Sequence, residues 1–494
     1  MGISFLQIPI GVKVPGVFTE VDTRKAIQGL AIKSYRVLLI GNRLATGTKP
    51  ADQIDKVTST SQARDFYGKG SQLFHMAKAF IGQNSGLNEL NVIALDDDGG
   101  AVKAAGSYEI VTAPTADGTL SLMIAGRRYR VAVLDADTEE DIIDKLVVEI
   151  TKDNDRQIDV VKNGANLDLM DVTARHASKF GNDIDIRENF FEGEVLPAGI
   201  TSTITAMGGV VAGTANPTIV PAITAMGETQ FDVIVMGFSD AANLTLMQTE
   251  LVDRWGAIRA NDGHLFFAKK ESFADHSTFL DTRNNEQETV MNIAGPTPTW
   301  EWSSNIGALV AQEGQRDPAR PFQTLALTQV LAPKENELFD FGERDLLLKA
   351  GGSTFTVDSG GVVRVERLRT TRIENEFAAP DEALADLNSK LTLSFIRFDF
   401  RVLFLLKFPR HKLADDGTRF APGQAIITPK IGKTEAITRF RLWEEQGLVE
   451  GGDQFKRDII VERNAQDRNR LDFLLPPDLV NQLRITGVQI GFLL

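Results

Sequence analysis

Apolar positions in this 494-residue chain keep three different rhythms. The first is the short continuous run, as in Tyr35-Arg-Val-Leu-Leu-Ile-Gly41, Leu90-Asn-Val-Ile-Ala-Leu95, Phe231-Asp-Val-Ile-Val-Met236 and His264-Leu-Phe-Phe-Ala268. Such runs read as strands buried on both faces. The second has helical spacing and lies between those runs. Residues 61–80 carry Phe66, Leu73, Met76, Ala77 and Phe80, and Leu244, Met247, Leu251, Trp255 and Ile258 repeat at three and four. Strand, helix, strand in that order predicts parallel pairing with right-handed crossovers.

The third rhythm is alternation, and it begins after the break at Asp96-Asp-Asp-Gly-Gly100. Thr119–Ile124 and Tyr129–Val133 flank Ala125-Gly126, which predicts a hairpin. Thr138 can cap a helix that opens with Glu139, Glu140 and Asp141 and buries Ile142, Ile143, Leu146, Val147 and Ile150. Strands at 157–161 and 167–174 complete a small α+β module that ends near Pro221. Farther on come strands at 353–357 and 362–368, then a long helix expected to open at Pro380. Its stripe of Leu384, Leu387, Leu391, Phe395, Phe398, Val402 and Leu405 stops at Pro409. A helix at 436–446 and strands at 457–463 and 470–475 precede the break at Pro476-Pro477.

Both chain ends are apolar. Val488, Ile490, Phe492 and Leu494 keep the period of two that places alternate residues on one strand face. Gly487 shifts the parity from Leu483 and Ile485, which suggests a bulge. Ile3, Phe5, Ile8, Ile10, Val12, Val14 and Val17 form an extended arm interrupted by Pro9 and Pro15. Termini are usually polar unless something ties them down, so both ends are expected to be adhesive.

These patterns predict an α/β core with a mixed or parallel sheet and flanking helices, an inserted α+β module, and a C-terminal α+β part. The expected boundaries are an arm at 1–20, the core at 21–99 and 222–352, the insertion at 100–221, the C-terminal domain at 353–482 and a strand extension at 483–494. The length allows about two to four domains. A net charge of −14 argues against a nucleic-acid backbone as the main partner. The absence of cysteine excludes disulfides, thiolate metal sites and a thiol nucleophile, and is consistent with folding in a reducing cytoplasm. Val402–Leu406, the most apolar run, is too short to span a bilayer, and no signal-peptide pattern opens the chain. No membrane insertion is expected.

Candidate chemistry is sparse. Gly41-Asn-Arg-Leu-Ala-Thr-Gly47-Thr-Lys49 follows a strand, but a phosphate loop needs four residues between its glycines and Lys directly after the second. An ordinary surface loop is expected. Gly237-Phe-Ser239-Asp-Ala241 has the strand-to-helix context of a hydrolase nucleophile, although Ala241 replaces the second glycine. The competing reading is that Ser239 or Asp240 caps the next helix. His75, His176, His264, His276 and His411 show no metal-ligand spacing, and Asp96–Asp98 lacks a calcium-loop pattern and reads as a solvated turn. No catalytic, cofactor or metal site is expected.

Ile8-Pro-Ile-Gly-Val-Lys-Val-Pro-Gly-Val-Phe-Thr-Glu20, Arg36–Gly41, Arg175-His-Ala-Ser-Lys-Phe-Gly-Asn-Asp-Ile184, Phe231–Met236, Gly352–Val357 with Val363–Arg367, Val461–Ala465 and Leu475–Gln482 together resemble contractile phage tail sheath proteins of the Mu-like group. The resemblance spans essentially the whole chain. It implies a structural subunit, not an enzyme, that polymerises with itself in six-subunit rings around a tail tube protein, between baseplate and tail terminator proteins. On that reading the sheath contracts to drive the tube through the bacterial envelope for genome delivery. It implies assembly in the host bacterial cytoplasm and residence in the virion tail, an outward-facing insertion, a tube-facing C-terminal part, and terminal arms that add strands to a small sheet of neighbouring subunits. A serine hydrolase using Ser239 is the alternative.

Overall fold

Val37, Leu38, Leu39 and Ile40 are fully buried in β1 (Arg36–Asn42), which fixes that strand at the interior of a sheet. The computed structural model describes residues 11, 13–19, 30, 33–84, 88–421 and 423–493. They divide into two units, Lys33–Phe395 with Asn481–Leu494, and Ile396–Val480 with Met1–Ile32. Ile3, Phe5, Ile8, Ile10, Val12 and Leu494 lie outside the described residues.

In the first unit, β1 is followed by β2 (Ile54–Lys56), α1 (Thr60–Tyr67), α2 (Gln72–Gln83) and β3 (Glu89–Leu95). β1 pairs in parallel with β3, from Arg36 opposite Glu89 to Asn42 opposite Leu95, and β2 runs antiparallel on the far side of β3. The single helix expected over 61–80 is two helices. Gly68 and Gly70 take φ of 89° and 75°, in the left-handed region that ends a helix, and the Ser71 hydroxyl then caps α2 by accepting from Phe74 N.

Eight elements follow: β4 (Lys103–Thr112), β5 (Gly118–Ile124), β6 (Arg127–Val133), α3 (Glu139–Lys152), β7 (Ile158–Lys162), β8 (Leu169–Ala177), β9 (Ile186–Glu188) and β10 (Thr201–Thr205). They form two antiparallel sheets of their own, ordered β10-β4-β8-β7 and β6-β5-β9. Ala125 and Gly126, at φ of 52° and 72°, make the two-residue turn between β5 and β6, because two positive-φ residues match the twist of a hairpin. Thr138 and Asp141 form a reciprocal capping box at the start of α3.

The parallel sheet resumes through α4 (Val220–Met226), β11 (Val233–Met236), α5 (Ala241–Trp255), β12 (His264–Lys269), α6 (Phe273–Asp281), β13 (Glu288–Asn292) and α7 (Thr299–Arg316). Its order is β13-β12-β11-β1-β3-β2. Helices cover both faces. A Cβ on Gly307 of α7 would come within 2.4 Å of Val235, whereas one on Gly263 would sit 3.2 Å from Leu251 of α5 and 3.4 Å from Ile234. Adjacent strand residues point to opposite faces, so α7 and α5 lie on opposite sides of β11. α7 carries no apolar stripe in the sequence because Trp300, Trp302, Ile306, Leu309 and Val310 bury it nearly all round.

Next come α8 (Phe341–Lys349), the antiparallel pair β14 (Thr354–Val357) and β15 (Val363–Arg367), and α9 (Leu387–Lys407), within which the unit boundary falls. The helix expected from Pro380 therefore starts seven residues later. Pro380 instead bridges to Glu374, and Asp386 accepts a fork of two hydrogen bonds from Arg367 at 2.9 and 2.8 Å. These contacts hold residues 369–386 as a folded-back loop.

The second unit adds β16 (Lys412–Leu413), β17 (Ile426–Ile427), α10 (Pro429–Glu445), β18 (Val449–Glu450), α11 (Gly452–Asp458), β19 (Ile460–Arg463), β20 (Leu471–Leu474) and β21 (Asp478–Leu479). The expected strand at 457–463 thus opens on the last turn of α11. Phe440 stacks on Phe455 at 4.1 Å, and the buried Asp399 carboxylate pairs with Arg439 and accepts from Trp443 Nε1 at 2.7 Å. Residues 483–493, the described part of the strand extension expected at 483–494, belong to no sheet.

Candidate assembly surfaces and the strand-end crevice

In an open α/β sheet, ligands enter the crevice beyond the carboxyl ends of the strands where the order reverses, here next to β1 and β11. This crevice is filled by the protein itself. Gln72 Oε1 accepts from Asn42 N at 2.9 Å while its Nε2 donates to Gly237 O at 2.7 Å. A Cβ on Gly41 or Gly237 would lie 2.9 or 2.8 Å from the Gln72 side chain. His176 Nε2 accepts from Gln72 N at 3.1 Å, which leaves Nδ1 as the donor to Asp97 Oδ1 at 2.8 Å. Asp97 also accepts from Asn42 Nδ2 and from Ala177 N, each at 2.7 Å. Burial raises the Asp97 carboxyl, but the hydrogen bonds from His176, Asn42 and Ala177 outweigh it and hold the group below its ordinary range. The acidic turn expected to be merely solvated therefore supplies the group that ties β8 to the end of β1.

The loop after β1 is no phosphate cradle. Its amides are used internally, with Gly47 N donating to Leu44 O, Thr48 N to Asp65 O and Lys49 N to Phe66 O.

Ser239 lies beside a recess of about 330 Å³ at the ends of β11 and β12. Asp240, next in sequence, is the cap of α5 and accepts from Asn243 N at 3.1 Å. No histidine lines the recess. His264 is buried against Thr289 Oγ1 at 2.8 Å, and burial, with Lys390 nearby, holds its pKa well down. His276 faces Glu271 at 3.3 Å. Lys269 and Lys270 are paired with Glu271 and Asp185, at 2.7 and 2.6 Å. Without a base, Ser239 is an ordinary loop serine, and the hydrolase alternative has no support. Among the described residues no cluster of His, Asp or Glu is placed to hold a metal, and no helix is long and apolar enough to cross a membrane.

The chain ends, expected to be adhesive, carry exposed apolar residues. Arg484 pairs with Asp386 at 3.2 Å and donates to Asn388 Oδ1 at 3.2 Å, which moors the start of the tail. Beyond it, Ile485, Val488, Ile490 and Phe492 are 77–87% exposed, with no strand partner among the described residues. Val14 and Val17 are likewise exposed. In the second unit, β19 and β20 form a two-stranded sheet whose outer edges have no strand partner among the described residues, and Ile460 and Leu474 stand exposed on it.

Residues 212–371 match the phage tail sheath protein central domain and residues 379–492 match the phage tail sheath C-terminal domain. A Mu-like prophage tail sheath protein of Haemophilus influenzae is 39% identical over 495 residues, covering 100% of both chains. The chain belongs to the phage tail sheath family. Its fold is shared with the sheath of an extracellular contractile injection system in the contracted state, at 8% identity, over 97% of this chain and 98% of that one, with a TM-score of 0.50. A sheath tail protein from Desulfitobacterium hafniense aligns at 12% identity over 95% of this chain and 97% of its own, with a TM-score of 0.49. The chain is thus a structural subunit of a contractile tail sheath of the Mu-like type, and not an enzyme. The two tail sheath domain matches together run from α4 to the exposed tail, and the tail lies inside the C-terminal match.

Proposed function

We propose that this sheath subunit polymerises in six-subunit rings stacked around a tail tube, between a baseplate and a tail terminator, and contracts to drive the tube through the bacterial envelope for genome delivery. On this reading it is assembled in the host cytoplasm and resides in the virion tail, with no cofactor, no direct nucleic-acid contact and no insertion into membrane. Residues 1–20 and 483–494 are inter-subunit arms, 21–99 with 222–352 the sheath core, 100–221 an outward-facing module, and 353–482 the tube-facing part.

The observation that carries the proposal is the tail. Val488, Ile490 and Phe492 share a strand parity and stay exposed with no strand partner among the described residues. Strand addition to an open edge satisfies main-chain groups and lets alternate side chains fill pockets, and the β19–β20 sheet of a neighbour offers such an edge. Twelve residues at ~3.3 Å each reach roughly 40 Å, enough to tether a subunit while its other interfaces repack. Contraction is then a passage from a metastable to a stable lattice, driven by interface free energy rather than nucleotide.

The chain has no cysteine, so Ile490→Cys with Ile460→Cys gives a clean cross-linking pair. Oxidised sheaths should give a ladder of covalent multimers, with ordered tubes in negative-stain micrographs of the concentrated protein. Ordered tubes without any inter-subunit cross-link would refute the proposed acceptor edge, and the absence of tubes under all conditions would refute self-assembly.

A further inference from the structure

Outside the crevice and the arms, one cleft holds a carboxyl in an unusual setting. It encloses about 660 Å³ among α2, the β5–β6 turn, the end of α3, the start of α7 and residues 328–331. Glu301, in the first turn of α7, faces it. Glu301 Oε1 accepts from Gln157 Nε2 at 2.8 Å and lies 3.4 Å from His75 Nδ1. The other ring nitrogen, His75 Nε2, is 2.7 Å from Asp155 O.

A carbonyl can only accept, so Nε2 carries hydrogen and a neutral His75 turns the Nδ1 lone pair toward Glu301. An ionised Glu301 would set two acceptors face to face. A protonated Glu301 instead donates to Nδ1 and still accepts from Gln157. Withdrawal from water, nearly complete for His75 and partial for Glu301, whose side chain is 17% exposed, favours this uncharged arrangement: it raises the Glu301 carboxyl to about 7, and it lowers His75 to about 3 with help from Arg127. The other titratable groups around the cleft are Lys78 on α2, Arg127, Arg128 and the neutral Tyr129 from β6, and Glu149, Lys152 and Asp153 at the end of α3. Arg127 is paired with Asp153 at 2.5 Å, Arg128 with Glu194 at 2.5 Å and Lys152 with Glu149 at 2.8 Å. Lys78 and Arg127 pull Glu301 toward ionisation without overcoming its burial.

Asp155 and Gln157 belong to the turn that joins α3 to β7, whereas His75 and Glu301 sit on α2 and α7, which pack together beside the parallel sheet. We infer that Glu301, His75, Asp155 and Gln157 form a proton-dependent clasp between the β4–β10 module and the parallel-sheet core, closed when Glu301 is protonated and opened when it ionises. The sign follows from proton counting. Between about pH 4.5 and 6.5 the closed clasp and the free groups each hold one proton, and the clasp is indifferent to pH. Above that window the free groups hold none while the closed clasp keeps its proton until Glu301 itself ionises near pH 7, so closure weakens as pH rises through that value.

Hydrogen exchange of amides 153–157 in the full chain, corrected for intrinsic rates, tests this. The opening equilibrium should rise between about pH 6.5 and 7.5, by no more than about tenfold per pH unit, and level off above. Glu301→Gln should remove that dependence, because a neutral amide keeps a donor toward Nδ1. Parallel pH profiles for the two proteins would overturn the clasp. The infrared band of Glu301 in the wild-type chain gives a second readout independent of the variant's folding. A protonated carboxyl at pH 6 supports the clasp, and a carboxylate there refutes it.

Discussion

β1 and the tail are written in nearly the same alphabet and meet opposite fates. Val37, Leu38, Leu39 and Ile40 are wholly buried between β3 and β11, whereas Val488, Ile490 and Phe492 are more than three-quarters exposed. Apolarity by itself did not decide this. β1 has a parallel neighbour on each side and helices over both faces, so its backbone groups and side chains are satisfied within one chain. The tail is moored at Arg484 and then finds no strand partner among the described residues. One region stores stability in the subunit, and on the proposed reading the other keeps its contacts for assembly.

The sharpest way to break this contrast is to delete residues 483–494. The truncated chain should remain folded and monodisperse and should form no tubes; ordered sheaths in micrographs of the deletion would show that the tail is dispensable. Next in size is Leu39→Ala, which leaves a cavity beneath the parallel sheet and should cost about 2–5 kcal/mol in denaturant unfolding. A loss below 0.5 kcal/mol would mean β1 is less central than its burial indicates. Asp97→Asn should cost about 1–3 kcal/mol, since it weakens the acceptor shared by His176, Asn42 and Ala177. Because the Asp97 carboxyl is held below its ordinary range, its contribution is present above about pH 4 and is lost as pH falls through the folded value. The asparagine variant should therefore show a shallower acid-side decline of melting temperature than the parent. The smallest effect is expected for Phe492→Ala, which should leave the unassembled chain within about 0.5 kcal/mol of the parent while reducing tube yield. A destabilised monomer would show that the tail packs on its own subunit.

Much of the fold was legible because its signals are local. Thr138 with Asp141 wrote the start of α3, Ala125-Gly126 wrote the hairpin turn, and the runs at Val37–Ile40 and Val233–Met236 wrote parallel strands. α7 was not legible, because a helix buried all round has no stripe to read, and the Pro380 helix was misplaced because long-range ion pairs hold 369–386 in a loop. The crevice network was hidden for a similar reason. Gln72, Asp97 and His176 are far apart in sequence, and only the order of the sheet brings them together.

The pentapeptide Ile-Thr-Ala-Met-Gly occurs twice and marks the limit of local reading. At 204–208 it leaves β10 for a turn, and at 223–227 it completes α4 and ends it. Five residues carry too little intrinsic preference to choose between these states, so the ladder to β4 decides one and the burial of Met226 beside the parallel sheet decides the other. The sequence by itself determined the buried core strands, the hairpin turn and the alternating parity of the tail. Only tertiary structure decided which apolar segments find partners within the chain, because pairing and burial depend on neighbours that no short stretch contains.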